Sequence, residues 1–347
     1  MGKKAVILVN VGTPDKAEVR QVRQYLSEFL NDRRVIDLPW LLQKMLVNLI
    51  IVPFRAPKST KLYRRLWTEK GSPLLLHLND LTAKLQQRSG PETDFFGAMR
   101  YGNPSLRKVL DEVLEKNYEQ LVLLPLYPQH ASSTTGSVVE AAVKQIDSRQ
   151  AMPSLHIISQ FYDHPAFVDA FAKRINAYQP ETFDHILFSY HGLPDRQINK
   201  IHPEVRIENC RCETAMPAHG RLCYRAQCYA TTRLLVAKLG LPPEKCSTAF
   251  QSRLSKNWMT PFIDETIAKL AEKGIRKLLV VAPSFVADCL ETTVEIGFEY
   301  NELFEKSGGE KLQLVESLNS EDFWVEAVIE MLGEGGSPEA SELGRGG

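Results

Sequence analysis

A histidine at the end of an apolar strand is the first candidate for chemistry. His191 follows the strand-like run 185–190 and precedes a turn that contains Gly192 and Pro194. Side chains at the carboxyl ends of strands in an open α/β sheet face the ligand crevice. A neutral imidazole at such a place can accept a proton or bind a metal ion. An ordinary loop histidine can occupy the same position, so a role for His191 has to be inferred from the residues that surround it.

A row of acidic residues forms the second candidate. Asp288 and Glu291 have the spacing of a capping box, so we expect a helix to begin there. At about 100° per residue, one face of that helix carries Asp288, Glu291, Glu295, Glu299 and Glu302. This row is either a solvated face near a helix N-terminus or a track for protons or metal ions that begins beside His191.

Four cysteines occur within one internal segment. They are Cys210, Cys212, Cys223 and Cys228, in a chain with six cysteines in all. This density predicts a bound metal centre, and either a structural zinc ion or a 2Fe-2S cluster satisfies a set of four thiolates. Cys246, in a predicted buried strand, is an alternative fourth ligand.

The other predicted strand ends supply aromatic rings and cations. The candidates are Arg100, Tyr101, Tyr127, Gln251 and Trp258. Flat aromatic surface with a few charged groups suits a large, planar, mostly apolar molecule that carries acid groups.

Alternating helices and strands have to position these residues. Helical periodicity covers 18–30, 79–87, 106–116, 165–177, 230–239 and 264–273. Strand-like runs cover 5–10, 94–99, 120–124, 154–159, 185–190, 246–250, 276–282 and 311–318. The alternation predicts an α/β protein whose parallel sheets are covered by helices on both faces.

Two internal matches indicate a duplication. Segment 5–15 has the same pattern as segment 185–195, and the strand that ends at Pro125 matches the one that ends at Pro283. We therefore expect two similar α/β domains, 1–160 and 161–332, whose strand ends meet at one cleft. The second would contain the cysteine insertion, about 200–228, and a last helix that could pack back on the first. Segment 333–347 is predicted to be a disordered tail.

Composition and the first residues limit the partners and the compartment. The 42 basic and 42 acidic side chains balance, so no nucleic-acid partner is indicated. A strand-like run begins almost at once, in place of a signal peptide. We expect a cytoplasmic protein with reduced thiols.

The most apolar segment, 38–54, is too short and too polar to span a bilayer. It is either a buried helix or an exposed apolar lip that contacts a membrane or an apolar substrate. The basic cluster that follows it would suit lipid headgroups or substrate carboxylates. If the lip contacts a membrane, the protein is peripheral on the inner membrane.

Taken together, these motifs resemble the ferrochelatase family, whose members insert ferrous iron into protoporphyrin IX to form haem. The resemblance runs from about residue 5 to residue 332. It rests, in this order, on NVGTPD (10–15), YRRLW with GSPL (63–74), RYGNPS (100–105), LPLYPQ with STTG (124–136), SYHGLP (189–194), FQSR with Trp258 (250–258) and DCLET with Glu295 (288–295). It implies a chelatase-like fold of two similar Rossmann-like domains with the porphyrin in the cleft between them.

The resemblance also implies roles for individual residues. His191 and Glu291 match the catalytic pair, and Glu295 matches the next acid, so these three would meet the substrate iron. Metal insertion needs a proton acceptor and a cation ligand close together, and which residue serves as which stays open. The predicted porphyrin contacts are Val11, Arg65, Ser72, Arg100, Tyr101, Tyr127, Trp258 and Phe285, with Arg65 and Ser72 in the region that holds the propionates. Cys289 stands where some relatives have histidine, and we expect a packed thiol there.

Three activities are open at this point. The leading one is a protoporphyrin IX ferrochelatase with Fe²⁺ as substrate. A subset of bacterial members carries cluster cysteines internally, which favours a structural or regulatory 2Fe-2S cluster over zinc. The alternatives are a chelatase for coproporphyrin III or another tetrapyrrole, and a non-catalytic porphyrin or haem carrier. The apolar lip favours the less polar protoporphyrin, and a base beside a row of acids argues against a carrier.

Overall fold

The computed structural model describes residues 3–147 and 149–333, so the predicted tail lies outside the described residues except for Gly333. Two parallel four-stranded sheets carry the fold. The first contains β1 (Lys4–Thr13), β2 (Thr93–Gly102), β3 (Gln120–Pro125) and β4 (Ser154–Ile157). The second contains β5 (His185–His191), β6 (Cys246–Gln251), β7 (Lys277–Val281) and β8 (Lys311–Leu314). The central strands are almost wholly buried, as expected for parallel sheets covered on both faces.

The two sheets have the same strand order, β2-β1-β3-β4 and β6-β5-β7-β8. The duplicated segments found in the sequence therefore occupy equivalent strands, since β1 corresponds to β5 and β3 to β7. In the register, Ile7 lies between Phe96 and Leu123. Phe188 lies between Thr248 and Val281 in the second sheet. The predicted α/β fold with two similar parallel sheets is confirmed.

Helices of amphipathic sequence cover the sheets. In α5, for example, Leu106, Val109, Leu110 and Val113 recur at helical spacing and are buried. The α-helices are α1 (Val19–Leu30), α2 (Trp40–Met45), α3 (Val52–Leu66), α4 (Pro73–Arg88), α5 (Leu106–Glu115), α6 (Ser137–Asp147), α7 (Pro165–Asn176), α8 (Asp195–Asn199), α9 (Tyr224–Leu239), α10 (Ile263–Glu272), α11 (Asn301–Lys306) and α12 (Asp322–Met331). Three further segments are π-helices: Leu46–Ile51, Ser132–Gly136 and Leu290–Tyr300.

The last helix, α12, joins the two halves of the chain. It packs mainly on α7 and also contacts α4. Trp324 is fully buried beside Phe161 and Phe167. Lys84 and Arg88 of α4 bind Asp322 at 2.8 and 2.9 Å. Because these ion pairs are exposed, the buried indole contributes most of the stabilisation.

Two glycines let neighbouring strand ends approach each other at the carboxyl edges of the sheets. A Cβ atom on Gly12, whose φ is +124°, would lie 1.9 Å from the carbonyl oxygen of Tyr101. A Cβ atom on Gly192 would lie 3.0 Å from the carbonyl oxygen of Gln251. The first geometry tolerates only glycine. Each half thus brings the end of a central strand against its neighbour, β2 in the first sheet and β6 in the second.

The apolar segment 38–54 lies on the surface. Trp40 is 70% exposed and Phe54 is 73% exposed. The other exposed apolar side chains of this lip are Leu41, Leu42, Met45, Leu49 and Ile50. The segment is therefore exposed and is not the buried helix that the sequence also allowed. Among the described residues, no helix has the length and apolar character needed to cross a membrane.

Candidate functional site

His191 is the last residue of β5 and is half-buried. Its Nδ1 lies 2.7 Å from the carbonyl oxygen of Gly192. Because a carbonyl oxygen can only accept, Nδ1 carries the hydrogen, and in the neutral ring Nε2 keeps its lone pair. The indole of Trp258 lies beside the imidazole, with ring centroids 6.4 Å apart. The geometry leaves Nε2 available as a base or as a metal ligand.

Gln251 connects His191 to the acidic helix. It lies opposite His191 in the β5–β6 register and is fully buried. Its Nε2 donates to the carbonyl oxygen of Glu291 at 3.0 Å and to Oε2 of Glu295 at 3.1 Å. Its Oε1 accepts a hydrogen bond from Ser189 at 2.6 Å. The strand end and the start of the acidic helix therefore form one hydrogen-bonded unit.

The Glu295 carboxylate accepts four hydrogen bonds. Its Oε1 accepts from the Ser252 backbone at 3.0 Å and from the Tyr300 hydroxyl at 2.7 Å. Its Oε2 accepts from the Ser252 hydroxyl at 2.6 Å, in addition to Gln251. A carboxylate has about four lone-pair sites, so these donors fill the group. This arrangement favours an anchoring role, and the predicted contact with iron would require breaking some of these bonds.

The Glu291 carboxylate has few partners and faces the first half of the chain. Burial and then the charge of Glu291 raise the pKa of the Cys289 thiol, which lies next to the carboxylate. Burial and then the charge of Glu291 raise the pKa of the Tyr63 phenol. The Tyr25 ring packs edge-on against Tyr63 with centroids 6.2 Å apart. Glu291 thus keeps open acceptor positions where α1 and α3 meet the acidic helix.

The acidic helix differs from its prediction at the N-terminus. Leu290–Tyr300 is a π-helix, and its N-cap is Cys289. Asp288 instead accepts hydrogen bonds from Asn319 Nδ2 at 2.7 Å and from the Ser317 backbone at 3.1 Å. The predicted capping by Asp288 is therefore wrong, because the loop after β8 supplies competing donors. The expectation of a buried, packed thiol at position 289 agrees with its 6% exposure.

Three predicted porphyrin contacts lie around the same strand ends. Trp258 is adjacent to His191, and its backbone bridges to Pro194. Val11, near the end of β1, is half-buried and packs against the apolar cluster that contains Val294 of the π-helix. Phe285 follows β7 and is half-buried. Both halves therefore contribute apolar side chains near the acidic helix.

Arg100 and Tyr101 belong to a separate polar network. Arg100 binds Asp32 at 2.7 Å and Ser137 Oγ at 2.7 Å. The Tyr101 hydroxyl donates to Asp32 at 2.8 Å, and only 1% of Tyr101 is exposed. Although burial opposes it, the hydrogen bond from Ser137 and those from Arg34 and Tyr101 lower the pKa of Asp32. The two predicted porphyrin contacts are thus held by partners within the first half.

The other predicted contacts are scattered. The Arg65 guanidinium is exposed and lies 4.7 Å from the ring centroid of Phe298. Ser72 is buried, and its hydroxyl is 2.8 Å from that of Thr13. Tyr127 is half-buried. Only Arg65 has a charged group that can reach an acidic substituent from the surface.

The four predicted cluster cysteines lie in one buried region with free thiols: Cys210, Cys212, Cys223 and Cys228. Burial raises the pKa of Cys212 to about 12, so the free thiol is protonated at neutral pH. His219 Nε2 is 3.3 Å from the sulfur of Cys210, and His202 Nε2 is 3.4 Å from that of Cys223.

A buried cation lies against these thiols. The Arg225 guanidinium donates to the sulfur of Cys212 at 3.2 Å, and only 6% of Arg225 is exposed. Within residues 3–147 and 149–333, its Nε is buried without a hydrogen-bond partner, and Glu213, the carboxylate that it binds, is more than half exposed. A buried guanidinium is stabilised by anions, so this position suits sulfurs that become thiolates on binding a metal.

Cys246 lies away from this region. It pairs with Ile186 at the amino ends of the strands, whereas α9 begins beside the carboxyl end of β5. The length of β6 separates these edges by roughly 16 Å. In the part of the chain that the structure describes, no three His, Cys, Asp or Glu side chains are arranged to hold one metal ion. The donor types, four buried thiols beside a buried guanidinium, fit a thiolate centre.

The sequence analysis did not identify two residues that hydrogen-bond to predicted site residues, Tyr224 and Asp32. The Tyr224 hydroxyl donates to the carbonyl oxygen of His191 at 2.9 Å. Its position directly after Cys223 is the only sequence signal for it. Asp32 lies after α1 outside any motif, so nothing in the sequence relates it to Arg100.

Comparison with known proteins agrees with this geometry. The ferrochelatase family model matches residues 3–335. The ferrochelatase of Legionella pneumophila (strain Corby) is 43% identical over 340 residues, which cover 96% of this chain and 99% of that protein. The ferrochelatase of Coxiella burnetii (strain Dugway 5J108-111) is 39% identical over 335 residues, 95% of this chain and 93% of that protein.

A solved structure supports the fold. SirB from Bacillus subtilis with Fe3+ aligns with a TM-score of 0.54 at 12% identity, covering 96% of this chain and 95% of that chain. At that identity the likeness concerns the fold alone, which is the one that the two sheets indicate. With a family match along nearly its whole length, the chain belongs to the ferrochelatase family, the enzymes that insert iron into a porphyrin in haem biosynthesis.

Proposed function

We propose that this protein inserts Fe²⁺ into protoporphyrin IX to form protohaem at the cleft beside His191. The observation that carries the proposal is the state of the His191 ring. Its Nδ1 donates to the Gly192 carbonyl, so Nε2 keeps a lone pair at the end of β5. Gln251 holds the start of the acidic helix next to this strand end.

The reaction releases two protons, because Fe²⁺ replaces the two hydrogens on the pyrrole nitrogens. We assign His191 Nε2 as the acceptor of these protons, one after the other, with release to solvent between them. Glu291, whose carboxylate keeps open acceptor positions, binds the entering Fe²⁺ through oxygen. Glu295, with its four donors, holds the π-helix in place.

The exposed lip supports protoporphyrin IX as the substrate, because this porphyrin carries two propionates and is less polar than coproporphyrin III. We expect anaerobic metalation with Fe²⁺ to show a higher kcat/KM for protoporphyrin IX than for coproporphyrin III. The rates are measured by the loss of free-porphyrin fluorescence at catalytic amounts of protein. A preference for coproporphyrin III would reassign the substrate, and stoichiometric binding without turnover would favour a carrier.

We also propose that Cys210, Cys212, Cys223 and Cys228 hold a 2Fe-2S cluster. The four free, buried thiols and the buried Arg225 guanidinium at Cys212 support it. When bound, the cluster would supply a one-electron redox couple and a cross-link among four side chains. A structural zinc ion would use the same thiolates, so chemical analysis has to separate the two.

Cys212→Ser is expected to lose the bound metal centre, because serine replaces a fully buried thiolate ligand. Anaerobically purified wild-type protein should contain two irons and two sulfides per chain, and this variant should fall to background. Cys246→Ser is the matched control and should keep the wild-type content. Zinc without sulfide in the wild type would select the structural zinc ion, and loss of the centre in Cys246→Ser would change the ligand set.

We further propose that the lip contacts the inner membrane from the cytoplasm. The basic side chains on α3 that follow it are exposed and would meet anionic headgroups: Arg55, Lys58, Lys61, Arg64 and Arg65. Replacing Trp40 and Phe54 together by serine is expected to weaken binding to anionic vesicles at least roughly tenfold, since each ring is mostly exposed. Vesicle sedimentation measures this. Met152→Ser, an exposed apolar residue elsewhere, should bind as the wild type does, and equal binding by the lip variant would contradict the proposal.

A further inference from the structure

We propose that Tyr224 is a positioning residue that couples the four-cysteine centre to His191. The proposal rests on the cluster proposed above. Tyr224 is the first residue of α9 and is 5% exposed. Its hydroxyl donates to the His191 carbonyl oxygen at 2.9 Å and lies 3.3 Å from the hydroxyl of Ser284. Tyr224 therefore touches the backbone of the catalytic histidine directly.

Two of the four cysteines flank Tyr224 on the same helix. Cys223 is the N-cap of α9, directly before Tyr224. Cys228 is four residues after it, so it lies on the same face one turn along. A displacement of either sulfur moves the first turn of α9, and the tyrosine ring moves with that turn. Because Tyr224 lies between these two cysteines on α9, the position of its hydroxyl depends on the positions of the two sulfurs.

The start of α9 also holds the first half of the chain. Gln227, which is fully buried, accepts a hydrogen bond from the His130 backbone at 2.6 Å and donates to Gln160 at 2.6 Å. Thr231 accepts from Gln129 at 3.0 Å. Gln129 and His130 follow β3, so the same two turns of helix contact strand ends of both sheets. A movement of the start of α9 would therefore reach strand ends in both halves.

Metal binding would act on this helix. Thiolate sulfurs bind iron or zinc at a distance of about 2.3 Å, which fixes their mutual positions. Cys223 and Cys228 belong to the start of α9, so any movement that coordination imposes on their sulfurs acts on this helix. Cys223 and Cys228 carry that movement into α9, and Tyr224 carries it to the carbonyl oxygen of His191. Binding free energies are reciprocal, so porphyrin bound beside His191 should also perturb the cluster.

Tyr224→Phe tests the coupling, because it removes only the hydroxyl. Tyr229→Phe is the matched control: Tyr229 lies on the same helix near the cysteines, and its hydroxyl is 3.4 Å from Glu213. The measurement is the electron paramagnetic resonance spectrum of the reduced cluster with and without saturating metal-free porphyrin. We expect the porphyrin to shift the g values in the wild type and in Tyr229→Phe, and to leave them unchanged in Tyr224→Phe. We also expect kcat to fall roughly tenfold in Tyr224→Phe, with cluster content retained and KM within about twofold.

The possible outcomes distinguish failure of the proposed coupling from failure of the proposed cluster or of the proposed metal insertion. A porphyrin-induced shift in Tyr224→Phe equal to that of the wild type, or no shift in either protein, overturns the coupling and leaves metal insertion and the cluster intact. Wild-type protein that metalates porphyrin but contains no cluster signal overturns the cluster and the coupling together. Wild-type protein that contains the cluster but does not metalate porphyrin overturns the proposed reaction.

Discussion

His191→Ala is expected to lower kcat for metal insertion by roughly 10²- to 10⁴-fold, while the Kd for porphyrin stays within about threefold. The substitution removes His191 Nε2. This nitrogen keeps a lone pair because Nδ1 donates to the Gly192 carbonyl oxygen. The substitution leaves the Gln251 bonds to the acidic helix in place. The rate of anaerobic metalation at saturating porphyrin and Fe²⁺ measures kcat. Fluorescence titration with porphyrin in the absence of metal measures the Kd.

His185→Ala is the matched control on the same strand. His185 lies at the amino end of β5, where its Nε2 is 2.8 Å from the Ser247 hydroxyl. Burial and then Lys273 lower the pKa of His185 to about 4, so it stays neutral at pH 7. Its loss should lower the melting temperature but not kcat. Wild-type turnover in His191→Ala would exclude His191 as the base.

The strands were predictable because each buried parallel strand is a short, nearly continuous apolar run. The run 120–124 became β3 (Gln120–Pro125), and 246–250 became β6 (Cys246–Gln251). The duplication was also readable, since Gly12 and Gly192 both lie where the end of a central strand approaches its neighbour, although only Gly12 has a positive φ. Local constraints of this kind are fully present in the sequence.

Tertiary contacts decided what the sequence left open. Acids spaced four apart are compatible with an α-helix and with a π-helix, so the pattern did not identify Leu290–Tyr300 as π. Whether the segment 38–54 is buried depends on what packs against it, which no local pattern shows. Arg100 lies within β2, which continues past the predicted end at residue 99, and its partner is Asp32, 68 residues away in sequence. Partners this far apart in sequence leave no local pattern from which the contact could be predicted.

Substitutions of Glu291 and Glu295 in the π-helix should have different effects, the first on turnover and the second on stability. Glu291→Gln is expected to lower kcat roughly 100-fold and to change the free energy of unfolding by less than about 0.5 kcal/mol. Among the described residues, its carboxylate lacks a set of donors like the one that surrounds Glu295, so an amide fits with little loss. Glutamine at this position lacks the negative charge to which we assign the binding of Fe²⁺. Metalation kinetics and urea unfolding measure the two effects.

Glu295→Gln should instead destabilise the protein by roughly 1 to 3 kcal/mol. The Ser252 and Tyr300 hydroxyls can rotate to accept a hydrogen bond, but the Ser252 backbone N–H and the Gln251 amide cannot. These two donors bind different oxygens of Glu295. Either placement of the glutamine amide therefore points its NH₂ group at one of them and leaves a donor unpaired. If Glu295→Gln unfolds like the wild type and loses turnover as Glu291→Gln does, then Glu295 binds the iron, and the anchoring role is excluded.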